Sequence, residues 1–191
     1  MGFETIGPAA RGLRGPDGQM LLRQTYESTP LPHGVVPVPQ LVRADDWGGS
    51  FKEAARLERG IVEIPALRER GVTLAAAQLN VSVVSAGTRR FWHVHPAQNE
   101  LWTVAFGQLN AGLVDCRERS PTFGLRARVA LTPHAGLYIP AGVAHGYANE
   151  SGAPAVLLYV VDHQWSGGDD TEEWRIHPDE LPFDFVLGDV I

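Results

Sequence analysis

From Leu79 onward the chain is cut into short apolar or alternating runs that leave almost no room for helix. They read LNVSVVS, RFWHV, ELWTVAF, LNAGLVDC, LRARVAL, GLYIP, HGYAN and AVLLYVVD. Ala86-Gly87, Gly107, Ser120-Pro121, Thr132-Pro133, Ala141-Gly142 and Ser151-Gly152 punctuate them. Runs of this length, spaced by turn residues, predict an all-β sandwich or barrel, because a half-buried strand needs only a few residues of period two. Residues 50–58, SFKEAARLE, carry the clearest helical propensity, with Ser50 as an N-cap and Glu53 three residues on.

A length of 191 residues suits one domain with a sizeable core. Residues 1–40 are broken by Gly7, Gly12, Gly15, Gly18 and prolines from Pro8 to Pro39, the texture of an arm or edge strand packing on something else. The tail after Asp162 is polar, with 167–170 (GGDD) as a loop. A formal charge of -6 and the lack of a Lys/Arg block argue against a nucleic-acid partner. Cys116 is the single cysteine, which fits a reducing compartment. The first residues lack the apolar core of a signal peptide and no run reaches membrane-spanning length, so the expected location is cytoplasmic, without a membrane partner.

Residues 87–107 resolve into G-x5-H-x-H-x4-E-x6-G, and residues 140–149 into P-x-G-x2-H-x3-N. On a strand, residues two apart share a face, so His93 and His95 would project side by side while Val94 turns away. Glu100 opens the next apolar run and would bring a carboxylate to the pair. Adding His145 gives a mixed imidazole and carboxylate set suited to one divalent transition metal, Fe, Mn, Ni, Cu or Zn, with open positions for substrate. The plainer alternatives are two polar residues on an exposed strand and a histidine that hydrogen-bonds the barrel mouth. The two spacings together resemble the paired motifs of the cupin superfamily, which implies a cupin jelly-roll barrel with an N-terminal arm and a short C-terminal tail.

A closer resemblance is carried by Arg90 to His93, by RSPTFG at 119–124 and by IPAGVAHGY at 139–147. These segments resemble, in order and separation, those of the dTDP-4-dehydrorhamnose 3,5-epimerase family. Asp46, Gly49, Phe51 and Glu53 look like its nucleotide-binding segment, which implies a strand where propensity favours helix. Gln78, Asn80 and Ser82 look like its Q-x-N-x-S strand. The resemblance implies a single barrel over 31–186 with swapped N-terminal strands, an extension at 1–30, an end piece at 187–191, and a homodimer.

In that family a histidine base removes a proton next to a keto group, a lysine helps hold the enolate and a tyrosine returns a proton on the other face. The base position matches His93, the preceding arginine Arg90 and the second histidine His145. Glu100 stands in the lysine's place, Gln164-Trp165-Ser166-Gly167 in the tyrosine motif's place, and Trp47-Gly48-Gly49 where an arginine is usual. The acidic residue that orients the base has no recognisable counterpart.

A glutamate beside a forming enolate opposes its charge, whereas an ion bound by His93, His95, Glu100 and His145 would restore a positive centre. As a ligand, however, His93 could no longer serve as a free base. The leading expectation is therefore a metal-binding cupin that isomerises a small sugar-like carbonyl substrate, with His93, Arg90 and Glu100 catalytic. Gln78, Asn80, Trp102, Tyr138 and Tyr147 are expected to contact substrate, although Trp92, Trp102, Phe91 and Tyr138 also suit a barrel core. The alternatives are a nucleotide-linked 4-ketosugar epimerase with rearranged catalytic groups and a non-catalytic sugar or nucleotide-sugar binder.

Overall fold

The structure, a computed structural model, describes residues 3–5, 22–24, 30–166, 173–177 and 179–181. Most of the expected extension at 1–30, the 167–170 loop and the end piece at 187–191 lie outside these residues. Strands in chain order are β1 (Phe3–Thr5), β2 (Leu22–Gln24), β3 (Val36–Pro39), β4 (Val42–Ala44), β5 (Ser50–Lys52), β6 (Arg56–Glu58) and β7 (Ile61–Glu63). After the short helix α1 (Pro65–Arg68) come β8 (Gln78–Val84), β9 (Arg89–Val94), β10 (Glu100–Phe106), β11 (Leu109–Asp115) and β12 (Arg126–Leu131). β13 (Ala135–Ile139), β14 (Val143–Ala148), β15 (Ala155–Val161) and β16 (Trp174–Arg175) complete the series.

Each apolar run from Leu79 onward is a strand, β8 to β15. They form two antiparallel sheets, ordered β3-β13-β10-β15-β8 and β12-β11-β14-β9-β16. Consecutive strands of the β8 to β15 series mostly alternate between sheets, and the resulting order is that of a jelly roll. The inward faces meet in the main core, where Trp102, Val104, Leu113, Leu131, Leu137 and Leu157 pack together. Two smaller clusters cover the outer faces. Leu67 and Leu74 close over Val36, Val38, Leu101 and Tyr138, while Leu181 covers Trp92, whose indole donates to the Leu181 carbonyl at 2.7 Å.

Residues 50–58 are not helical. They form β5 and β6, paired with β4 and β7 respectively. The turn between β4 and β5 is set by Asp45, which accepts from the amides of Trp47 and Gly49 at 2.9 and 2.7 Å, and by Gly48 at φ 85. Lys52 then docks the hairpin by donating to Thr103 Oγ1, the Val104 carbonyl and the Pro133 carbonyl. Tertiary anchoring thus overrides a local propensity of a few tenths of a kcal/mol per residue, of order ~0.5.

β8 is patterned in reverse of an ordinary surface strand. Gln78, Asn80 and Ser82 are half-buried toward the barrel interior, while Leu79, Val81 and Val83 are 64%, 61% and 74% exposed. Apolar residues in a row on an outer face mark a surface that is usually covered.

The RSPTFG segment is held by a buried carboxylate. Asp115 accepts from Arg117 Nε at 2.8 Å, Ser120 Oγ at 2.5 Å and Thr122 Oγ1 at 2.6 Å. The same network reaches the first barrel strand, since Arg117 donates to the His33 carbonyl and the His33 amide to Thr122 Oγ1. Burial works against the charge, but bonds from Arg117, Ser120 and Thr122 outweigh it and hold the Asp115 carboxyl well below the usual range. Because its folded value lies below the unfolded one, this group adds stability above about pH 4 that is lost as pH falls further. Asp115→Ala is expected to cost about 3 kcal/mol in denaturant unfolding at pH 7 and much less at acid pH.

Candidate functional site

Between the sheets lies a cavity of about 420 Å³, lined from every strand that faces it. β8 supplies Gln78, Asn80 and Ser82, β10 supplies Glu100 and Trp102, and β15 supplies Leu157, Tyr159 and Val161. From the other sheet come Arg90 and His93 on β9 and His145, Gly146 and Tyr147 on β14, with His95 and Gln98 just beyond β9.

Arg90 and His93 both face this cavity although they are three positions apart, which a regular strand forbids. The register explains it. His145 pairs with His93 but Tyr147 pairs with Arg90, so Phe91 and Trp92 together oppose Gly146. This β-bulge re-aims one end of β9. Gly146 makes room for it: a Cβ there would lie 2.1 Å from Phe91 Cδ1 and 2.4 Å from the Arg90 carbonyl oxygen.

At the cavity floor Glu100 is 3% exposed. Its Oε1 accepts from Gln98 Nε2 at 2.7 Å and faces His95 Nε2 at 3.2 Å. Its Oε2 accepts from Trp102 Nε1 at 2.5 Å and faces His145 Nε2 at 3.7 Å. Burial pushes this carboxyl up, but the positive charge that His145 and His95 carry once protonated at acid pH, with bonds from His95 and Trp102, outweighs it and holds it at about 2. One donor atom each from His95, Glu100 and His145 lies within 4.8 Å of the others.

His145 Nδ1 sits 2.9 Å from the Val143 carbonyl, which can only accept, so Nδ1 carries the proton. Burial first of all lowers the pKa of this ring and keeps it neutral. Its Nε2 lone pair is thereby turned toward the Glu100 carboxylate, an arrangement that could hold a cation between them. A ligand histidine whose second nitrogen donates to a backbone carbonyl is the usual support of a metal site.

His93 stands apart from this group. Its Nδ1 lies 2.9 Å from Glu173 Oε1, and its ring centroid is 6.3 Å from that of His145. Burial lowers its pKa to about 4; Glu173 opposes the shift, while His145, Arg175 and Arg90 add to it. Glu173 immediately precedes β16, whose Arg175 pairs with His93 across the sheet edge.

The family model described as dTDP-4-dehydrorhamnose 3,5-epimerase matches residues 58–183. The chain belongs to this family. Among curated proteins, the dTDP-4-dehydrorhamnose 3,5-epimerase of Streptomyces griseus is 32% identical over 141 residues, covering 71% of this chain and 64% of that protein. The chain thus spans just under two thirds of that relative. Among solved structures, NovW from Streptomyces spheroides, a 4-keto-6-deoxy sugar epimerase, superposes with a TM-score of 0.67 at 28% identity. That match covers 85% of this chain and 80% of NovW. The Legionella pneumophila enzyme, solved in complex with dTDP-4-keto-L-rhamnose, is 27% identical with a TM-score of 0.65 over 82% of this chain and 81% of its own.

Against the epimerase family's pattern, two expectations from sequence need correction. A carboxylate does stand beside His93: Glu173, just before β16, which no recognisable motif marks. Of the four residues expected to hold a metal, His95, Glu100 and His145 bring donor atoms within 4.8 Å of one another, while His93 lies outside that cluster and is paired through Nδ1 with Glu173. A third correction concerns Tyr138. It pairs with Leu101 and faces outward into the second cluster, its hydroxyl donating to Asn99 Oδ1 at 3.2 Å. Period-two alternation puts Leu137 and Ile139 inside instead.

Gln78, Asn80, Trp102 and Tyr147 do line the cavity, as does Arg90. Ser82, Gln98, Tyr159 and Glu173 line it as well, without having been singled out as site residues. Asn149 is structural, donating to the Val84 and Ala153 carbonyls. Gly146→Ala is expected to lose about 2 kcal/mol of stability in denaturant unfolding, since the bulge must shift. Gly152→Ala, where a Cβ meets nothing within 4 Å, should stay within about 0.5 kcal/mol of the parent.

Proposed function

We propose that the protein epimerises a nucleotide-linked keto sugar by moving a proton next to its carbonyl, with a divalent transition metal where the family has a lysine. The observation that carries this reading is the presence, in one cavity, of a histidine–carboxylate pair and, separate from it, three side chains able to hold a cation. His93 and Glu173 form the first, and His95, Glu100 and His145 the second.

With Nδ1 bound to the Glu173 carboxylate, His93 has Nε2 free to take a proton from carbon, and Glu173 stabilises the imidazolium that results. Glu173 stays ionised: burial raises its pKa, but the charges of His93 and Arg175 bring it below the ordinary value. Tyr159 reaches the cavity from β15, in the sheet opposite β9. Burial raises the pKa of its phenol, so it holds a proton at neutral pH and can deliver it to the other face of the sugar carbon. Arg90 and the amides of Gln78 and Asn80 offer donors for phosphate and hydroxyl groups. His95, Glu100 and His145 would hold the cation, and when bound it supplies a positive centre for charge developing on the carbonyl oxygen. Because His93 is outside that cluster, one cavity accommodates both tasks.

Incubation with dTDP-4-keto-L-rhamnose in D2O tests the proton chemistry. The parent protein is expected to incorporate deuterium beside the carbonyl and change configuration. His93→Gln should lose both by at least ~100-fold, whereas Tyr159→Phe should keep exchange and lose inversion. Absence of exchange in the parent protein would sink the epimerase reading.

The cation is tested by elemental analysis of untagged protein never exposed to chelator. About one transition-metal ion per chain is expected, and substantially none in His95→Ala or Glu100→Gln. Metal content unchanged in both variants would place the ion elsewhere.

The exposed row Leu79, Val81 and Val83 supports a homodimer formed across the outer face of β8. Light scattering is expected to give twice the mass of one chain, and Val81→Glu with Val83→Glu to give a folded monomer.

A further inference from the structure

Three ligand atoms can share a cation only if the segments that carry them are held in fixed relation, and here those segments differ. His95 and Glu100 flank the turn at residues 95–99, whereas His145 lies on β14, beyond the turn of Pro140, Ala141 and Gly142. The strands that flank the two turns are paired, Glu100 with Ile139 and His93 with His145. Between the turns themselves the side-chain link is Asn99.

The side-chain oxygen of Asn99 accepts from the Ala141 amide at 3.0 Å and from the Tyr138 hydroxyl at 3.2 Å. Its side-chain nitrogen donates to Asp162 Oδ2 at 2.6 Å, and its amide to Asp162 Oδ1 at 2.8 Å. At the other end of the same turn, the Gly142 amide donates to the His95 carbonyl at 2.8 Å. The turn that carries His95 and leads into Glu100 is thus stitched at both ends to the turn that leads into His145. Asp162, just past the end of β15, braces the stitch from a third strand. Asn99, Tyr138 and Asp162 are not among the residues that line the cavity.

We propose that Asn99, held by Asp162 and Tyr138, is a positioning residue that sets the spacing of the His95, Glu100 and His145 donor atoms for a divalent cation. The inference rests on the cation reading above and extends it to residues that touch neither ion nor substrate. It also gives Tyr138 a task on the outer face of its sheet. Supporting residues of this kind typically change metal affinity by about 10- to 100-fold.

The test uses Co2+ as the probe, because its visible d–d bands report coordination geometry and its titration gives an affinity. The full chain, stripped of metal, is titrated with Co2+ alongside Asn99→Ala, Tyr138→Phe and Arg128→Ala. Arg128 pairs with Glu150 outside the cavity and controls for general loosening of the barrel. Asn99→Ala is expected to weaken Co2+ binding about 10- to 100-fold and to move the bands. Tyr138→Phe, which removes one bond to Asn99, should do both to a smaller extent, and it keeps the test open should Asn99→Ala not fold. Arg128→Ala should match the parent in both.

Parent-like affinity and bands in Asn99→Ala, or in Tyr138→Phe should Asn99→Ala not fold, would overturn the positioning role while leaving the cation reading intact. Equal band shifts in Arg128→Ala would overturn it too. Failure of the parent itself to bind Co2+ would overturn the cation reading and this inference together.

Discussion

Everything in the barrel interior is arranged around one desolvated negative charge. Glu100 is buried at the point where the sheets come together, and an isolated carboxylate in that position would cost several kcal/mol, of order ~5. Gln98, Trp102, His95 and His145 each turn a polar atom to it. Two of those neighbours are imidazoles, and one of them is oriented by its own backbone contact to present a lone pair rather than a proton. Together these contacts outweigh the cost of burial and keep the carboxylate ionised.

The same interior imposes an inversion on β8. A strand that must line a polar cavity spends its inward positions on Gln78, Asn80 and Ser82, so its apolar residues are forced outward. Leu79, Val81 and Val83 form an exposed apolar row on the other side. Under the proposed reading, binding and association are linked by simple alternation along one strand, since cavity-lining and exposed apolar residues occupy adjacent positions.

Much of this was legible in the sequence, for identifiable reasons. The run-and-turn cadence marked all the strands from β8 to β15, because short half-buried strands bounded by Gly and Pro leave few other solutions. His95, Glu100 and His145 were legible because their spacing survives folding as direct adjacency. Glu173 was not, since it reaches His93 only through two residue pairs at a sheet edge, with no motif to announce it. Tyr138, expected to contact substrate, packs in the outer cluster instead, since GLYIP carries apolar residues on both sides and gives no alternation to read. For the 50–58 segment propensity alone points to helix and the family resemblance to strand, and strand is what forms, its conformation fixed by Lys52 docking on a distant strand.

The bulge opposite Gly146 bears on how such a chain can change over time. Phe91 and Trp92 share a single partner, and only for that reason do Arg90 and His93, three positions apart, face the same cavity. In an unbulged strand of the same length they would take opposite faces and Arg90 would turn away. The glycine that leaves room for the bulge and the arginine that depends on it therefore constrain each other across the sheet, so that a larger side chain at 146 would cost the cavity the guanidinium of Arg90.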